Sequence, residues 1–404
     1  MSPEPEPPSA AAVTAAAATR AAPGRAHNQD SHRCDAGAAV FLVADGMGGR
    51  AAGDAASAIA SARVHEAWTA DGARRRIAAY AARPEPGERE AMFRAVREGV
   101  MAAHLAIAEE AQRDDGKHGM GTTLTGMVVA GGDAVFAHTG DSRAYLVRDG
   151  VALQLSEDHN VQTRLRAAGM EPSSRRSWRG VLTSALGVGD PRVATFAVTV
   201  AAGDRIVLCT DGVHEELDGE AELAGVTSGA AGPAEAAAAL IALARARGGA
   251  DDVTALVVDV VAAAAGPMWQ PVSAAERARE SAALDRCALF EALTGPERLR
   301  ALRVTTRRAL AAGDALAPAD AGDRVAHVLL DGEAALPGGE RALPGGLVHA
   351  AALIAGTPAP RESARATSAA RVLLIRRGDF LSLCEEEPDL GVKLYAALAR
   401  LMAR

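Results

Sequence analysis

Asp45 ends the apolar run "FLVADGMGG", and Asp211 ends a second, "RIVLCTDGV". Asp141 lies in the glycine-flanked turn "HTGDSR", Asp251 and Asp252 open the apolar run "DDVTALVV", and Asp30, in "GRAHNQDS", precedes the first such run. An apolar run that stops at Asp-Gly reads as a buried strand carrying a carboxylate to the rim of a core. The glycine lets the backbone approach whatever the carboxylate holds. One Asp-Gly is an ordinary turn; the set is what points to chemistry. Clustered carboxylates repel one another and are driven toward protonation unless a cation compensates. Oxygen donors without a Cys or His cluster select a hard ion, Mg²⁺ or Mn²⁺. Two such ions can hold and deprotonate a bridging water while binding a phosphoryl oxygen. Arg25, shortly before Gln29 and Asp30, suits a phosphate because guanidinium matches its oxygens bidentately. The residues read as a two-metal phosphate-ester hydrolase, and their spacing alone leaves a calcium site or a nuclease open.

Groups so far apart in sequence need a layered scaffold to converge. Short β-type runs recur from about residue 23 to 262: "AAVFLVA", "TTLTGMVVA", "DAVFAHT", "RAYLVRD", "DRIVLCT" and "DVTALVVDVV". "AGGD" and "RDGVA" join neighbours closely enough for hairpins, hence antiparallel sheet. Helical patterns interrupt them at "AAGDAASAIASARVHEAW", at "EAMFRAVREGVMAAHLAIAEEAQ" with Phe93, Val96, Val100 and Leu105 near one face, and at "PAEAAAALIALARAR". The class expected is α+β, with helices outside layered sheets. Residues 1–22 read as a flexible tail, 23–262 as the first domain, 263–283 as a linker, and 284–404 as a second, smaller domain.

The 404 residues are 49% hydrophobic, enough for real cores, and with 3% aromatics those cores are Ala, Val and Leu. A net charge of −8 argues against a nucleic-acid surface. Cys34, Cys209, Cys287 and Cys384 form no C-x-x-C pair, which fits a reducing compartment. The N-terminus is acidic and Pro-rich where a signal peptide is basic, and "VTALVVDVVAAAA" is too short to span a membrane and carries Asp259. A cytoplasmic protein without membrane or nucleic-acid partners is expected.

Eight motifs in order, "GRAHNQDS", "VADGMGGRAAGDAAS", "GMGTTLTGMVV", "AHTGDSRAYLVRDG", "LSEDHN", "LTSALG", "IVLCTDGVHEEL" and "GGADDVTALVV", resemble the bacterial form of the metal-dependent (type 2C) protein serine/threonine phosphatases. The resemblance covers about residues 23–260. It implies a four-layer αββα sandwich with two Mn²⁺ or Mg²⁺ ions in its cleft and a weaker third. By it, Asp45 bridges both ions, the Gly46 carbonyl binds one, and Asp211 and Asp251 complete the set. Asp30 acts through a metal-bound water, Asp141 helps Asp211 hold the third ion, and Arg25 binds substrate phosphate. A metal-bridging hydroxide then attacks phosphorus in line, without a phosphoenzyme. Partners would be proteins phosphorylated by serine/threonine kinases. Gln29 stands where many members carry Glu, Met47 where eukaryotic members carry a proposed acid His, and Asp252 where Asn is frequent. His159 of "EDHN" reads as structural rather than as a proton donor, and Cys209 as a small buried hydrophobe. Arg164, Arg166, Arg175, Arg176 and Arg179 fall in the family's variable flap, either a substrate-attracting surface or a solvated Arg-rich face.

Residues 284–404 resemble a cyclic-nucleotide-binding domain, a β jelly roll with flanking helices, on "LFEALTGPERLRAL", "AAGDALAPADAGDRVAHVLLDGEA", "LPGGLVHAAALIAGTPAPRESARAT" and "LLIRRGDFLSLCEEEPDL". Val348 and His349 occupy the place of the ribose-binding Gly-Glu, Arg361 is the phosphate-binding Arg, and Glu362 follows it. Losing the ribose-binding carboxylate removes charge-assisted hydrogen bonds. The expectation is a regulatory domain that answers weakly or not at all to cyclic nucleotide, with a protein effector as the other partner. The rival to an enzyme is a non-catalytic phosphoprotein-binding pseudophosphatase.

Overall fold

The computed structural model describes residues 11–48, 52–167, 170, 180–262, 274–316, 324–354 and 364–403. The chain divides into two units, residues 1–265 and 266–404. In the first, the strands are β1 (Ala12–Arg20), β2 (Asp30–Asp35), β3 (Val40–Met47), β4 (Gly121–Thr122), β5 (Leu124–Ala130), β6 (Asp133–Thr139), β7 (Arg143–Arg148), β8 (Val151–Gln154), β9 (Ala194–Thr199), β10 (Arg205–Cys209) and β11 (Val253–Ala262). They form two antiparallel sheets, ordered β2-β3-β5-β6-β9 with β4 on β3, and β1-β11-β10-β7-β8. The helices are α1 (Gly53–Thr69), α2 (Asp71–Ala82), α3 (Pro86–Arg113), α4 (Val161–Ala167), α5 (Asp211–His214), α6 (Glu220–Ser228) and α7 (Pro233–Ala246).

Each sheet buries one face under helices. Leu42, Val128 and Val135 share a core with Trp68 of α1 and Val96 and Ile107 of α3. Trp68 is 1% exposed, and its Nε1–H donates to the Val96 carbonyl at 2.9 Å, tying α1 to α3. On the other sheet, Val207, Ala255 and Val257 pack under Leu223 of α6 and Leu240 of α7. The turn between β7 and β8 puts Asp149 and Gly150 at φ 52° and 77°, the left-handed pair of a tight hairpin.

Two expectations are corrected in this unit. Residues 12–20, read as tail, form β1, paired with β11 from Ala12 opposite Ala262 to Arg20 opposite Val253. An alanine run has little strand preference; the ladder offered by β11 makes the strand. Leu105 is 58% exposed, while Phe93, Val96 and Val100 are buried. Five residues beyond Val100 at about 100° each carries it off the buried face, and Ala103 and Ile107 take its place. Helix α2 was not foreseen: Arg74, Arg75 and Arg76 mask its pattern, and Tyr80 anchors it through a hydrogen bond to buried Asp133.

The second unit begins within the expected linker, because α8 (Ala274–Asp285) is helix; residues 263–273 lie outside the described residues. Helix α9 (Gly295–Leu302) starts on a capping box between Thr294 and Glu297. There follow β12 (Thr305–Leu310), β13 (Ala315–Leu316), β14 (Val325–Asp331), β15 (Ala334–Ala335), β16 (Arg341–Ala342), β17 (Leu347–Val348), a 3₁₀ turn at Ala350–Leu353, β18 (Ala364–Ala366), β19 (Ala370–Arg376), α10 (Arg377–Glu386) and α11 (Pro388–Met402). Two four-stranded sheets, β12-β19-β14-β17 and β13-β18-β15-β16, enclose one apolar cluster that includes Leu316, Leu329, Ala366 and Val372. The helices bury Phe290, Phe380 and Leu394 on the opposite face of β14 and β19. Among the described residues, no helix is long and apolar enough to cross a membrane.

Candidate active site

Residues 40–44 of β3 are buried throughout, as a strand covered on both faces requires, and Asp45 follows at its partly exposed end. Backbone pairing sets Asp45 opposite Asp30 of β2. The Asp45 N–H donates to Thr123 Oγ1 at 3.0 Å, and its carbonyl accepts from Thr123 N–H at 2.9 Å and Thr122 Oγ1–H at 2.8 Å. Gly46 N–H donates to the Gln29 carbonyl at 3.0 Å. A Cβ at Gly46 would stand 1.9 Å from the Gly53 carbonyl oxygen. Only glycine lets the start of α1 pass this close to the strand.

Asp211 arrives from the other sheet, at the first residue of α5 directly beyond β10. Its carboxyl lies close enough to that of Asp45 for each to perturb the other. Burial, then the neighbouring charges, hold the Asp45 carboxyl well above the ordinary carboxylate range, and Asp211 is raised too. Asp30 Oδ2 accepts from Thr210 Oγ1–H at 2.9 Å and Thr254 Oγ1–H at 2.6 Å. Burial nevertheless pushes Asp30 up to about 7, against the pull of those two hydroxyls. Asp141, buried in the turn after β6, is raised first by burial and then by Asp211. Among the described residues, Asp30 Oδ1 and Asp211 Oδ1 are buried without a hydrogen-bond partner. Among the described residues no three Asp, Glu, His or Cys side chains close round a single point. Asp45 and Asp211 lie against each other, and Asp251 turns to Arg25. Buried, mutually repelling, oxygen-only donors with two unsatisfied oxygens nonetheless fit a hard divalent cation.

Arg25 stands at the mouth of this cluster with its side chain 42% exposed. One guanidinium nitrogen reaches Asp251 Oδ1 at 3.0 Å, Asp252 Oδ2 at 2.7 Å and Gln29 Oε1 at 3.1 Å. Asp252, with its side chain 2% exposed, also accepts from Ala22 N–H at 2.6 Å and Gln29 N–H at 2.9 Å. It therefore fixes the loop carrying Arg25 at both ends. Sequence reasoning read Asp252 only as a second carboxylate beside a ligand, and nothing in an Asp-Asp doublet announces this anchoring. Arg245 of α7 adds a second clamp, donating to the carbonyls of Gly249 and Asp251 at 2.7 Å, Arg20 at 2.9 Å and Ala21 at 2.7 Å.

Asp30, Asp45, Gly46, Asp211, Asp251 and Arg25 thus come together from both sheets, with Asp141 nearby. His159 is a buried structural imidazole. Gly140 N–H approaches its Nδ1 at 3.4 Å, its ring lies 4.9 Å from that of His138, and burial holds it down to about 3. Cys209 is fully buried, with its thiol pushed up to about 12, and is no nucleophile. Arg164 and Arg166 are exposed on α4, while Arg175, Arg176 and Arg179 lie outside the described residues. His349 belongs to the second unit; Arg361 and Glu362 lie outside the described residues.

A profile described as Protein phosphatase 2C matches residues 19–245. The serine/threonine protein phosphatase PstP of Mycobacterium tuberculosis strain H37Rv is 36% identical over 241 residues, 59% of this chain and 43% of its own length. The aligned part of this chain thus spans less than half of that curated relative. The serine/threonine phosphatase stp of Listeria innocua is 32% identical over 224 residues, 54% of this chain and 84% of its own. A solved structure of the catalytic domain of PstP in complex with 2 manganese ions is 32% identical with a TM-score of 0.51, covering 62% of this chain and 98% of that one.

Proposed function

The chain belongs to the protein phosphatase 2C family, and on that footing we propose that it is a metal-dependent phosphatase acting on phosphoserine and phosphothreonine in proteins. The observation that carries this is the meeting of Asp45 and Asp211 from opposite sheets, carboxyl to carboxyl, beside buried Asp30. Asp45, the Gly46 carbonyl, Asp211 and Asp251 would hold two Mn²⁺ or Mg²⁺ ions, with Asp30 in support and Asp141 serving a weaker third. When bound, such ions supply Lewis acidity toward phosphoryl oxygens and an acidified water.

The chain's own residues do the rest. Arg25, half exposed and held over the cluster, presents its guanidinium to the substrate phosphate. Asp252 keeps the Arg25 loop in place while substrate exchanges. Met47 carries no proton to donate, and His159 is held neutral by burial. Protonation of the leaving hydroxyl therefore falls to water or to another group. The four-layer αββα sandwich is the reading the helix-covered sheets support.

The second unit is a regulatory domain on this reading. Two sheets around one apolar interior, with a 3₁₀ turn after β17, support a cyclic-nucleotide-binding-like β jelly roll. The test is hydrolysis of a phosphothreonine peptide by the purified chain with and without Mn²⁺, and with cAMP. Metal-dependent turnover, abolished in Asp45→Ala and Asp211→Ala, is expected. Absence of turnover with Mn²⁺ would leave a phosphoprotein-binding scaffold.

A further inference from the structure

The second unit holds two histidines that the phosphatase reading does not use. Along β14, Ala326, Val328 and Leu330 face the helices, while Val325 and Leu329 face the interior between the sheets. Strand alternation puts His327 on the interior side, where it is 1% exposed. His327 pairs with Val348 of β17, so His349 follows one residue beyond that rung. His349 takes the left-handed conformation, φ 61° and ψ 37°, at the start of the 3₁₀ turn. The two rings meet edge to face, with centroids 5.7 Å apart and planes at 77°.

Among the described residues, all four ring nitrogens are buried without a hydrogen-bond partner. Each such group left unmatched costs about 1–3 kcal/mol, and a left-handed non-glycine residue adds strain. An apolar pair of similar size would avoid the first of these costs. Burial keeps both rings neutral: His327 is held down to about 4, with His349 and Arg308 adding to the effect, and His349 is lowered by burial alone. Neutral imidazole is the form that ligates metals. Nitrogens about 2.0–2.1 Å from one ion at tetrahedral to trigonal angles put their ring centroids about 5–6 Å apart, and this pair already stands at that spacing.

We propose that His327 and His349 bind one borderline divalent ion of the zinc, copper and nickel class in the interior of the second unit, with water or a small anion completing its coordination. Imidazole donors select these metals over Mg²⁺ and Mn²⁺, which prefer the oxygen donors of the first unit. The positive field of Arg308 favours an anionic co-ligand over a bare dication.

The test titrates Zn²⁺ into the full chain under saturating Mg²⁺, so that the carboxylate cluster does not compete. Stoichiometry and affinity come from calorimetry, and imidazole ligation from zinc X-ray absorption. The variants are His349→Asn, since Asn tolerates the left-handed region, and His327→Leu. One equivalent of imidazole-bound zinc is expected, with affinity falling at least about tenfold in each folded variant. If His327→Leu does not fold, His349→Asn alone decides. Unchanged binding in His349→Asn, or zinc without an imidazole signature, would overturn the proposal.

Discussion

Gly212 spaces the two sheets' contributions to the carboxylate cluster, and Gly212→Ala tests whether that spacing matters. The glycine follows Asp211, and a Cβ there would lie 2.1 Å from the Asp252 carbonyl oxygen. Ordinary contact begins at 3.4 Å, so the neighbours must part by 1.3 Å. Gly212 is not in the left-handed region, so alanine meets no backbone penalty and the clash is the whole effect. Opening this gap moves α5, and Asp211 with it, away from Asp251 and Asp252. A misplacement of about 1 Å costs roughly 10²-fold in rate, which is about 2.7 kcal/mol on the barrier. Overpacking adds about 1–3 kcal/mol of lost stability. The assay is kcat/KM on a phosphothreonine peptide across a Mn²⁺ titration, with thermal unfolding alongside. Gly225→Ala is the control: it lies within α6 with open space around its Cβ position, and should stabilise by about 0.5–1 kcal/mol at unchanged activity. Wild-type turnover and metal affinity in Gly212→Ala would refute the reasoning.

Asp45→Asn removes one of the repelling buried charges, so the metal-stripped variant should unfold at or above the wild-type temperature while losing its Mn²⁺-induced shift and its activity; calorimetry with and without chelator checks both. His138 is fully buried and held down to about 4 by burial, so its contribution to stability is present above the unfolded value of about 6.5 and is lost as pH falls toward 4. The destabilisation caused by His138→Asn should therefore shrink by about 1 kcal/mol between pH 6.5 and 5.5 in urea titrations. Thr294→Ala breaks the capping box of α9 and should cost about 1 kcal/mol in the second unit, read by its thermal transition.

What was legible in the sequence were the features that local chemistry writes. "FLVADGMGG" announced a doubly buried strand ending in a carboxylate, and Asp-Gly at 149–150 announced its hairpin. Pro233 and the glycines at 248 and 249 bracketed α7. What stayed hidden depends on partners remote in the chain. The alanines of β1 become a strand only against β11, and Asp252 becomes an anchor only when residues 22, 25 and 29 fold onto it. His327 sits in "VAHVLLD" like any strand residue until β17 brings His349 to its side.

The pairing of β1 with β11 bears on the order in which the molecule is made. The first strand of the unit to leave the ribosome has its ladder partner in the last, about 240 residues later. At about 5–20 residues per second that is a wait of roughly 12–50 s. Asp252 and Arg245 belong to the same late segment, so the loop bearing Arg25 is anchored only after it emerges. Until then the carboxylates of β2 and β3 stand without Asp211 and Asp251. On the proposed function, a nascent chain would lack the completed site, which would become competent in one late step.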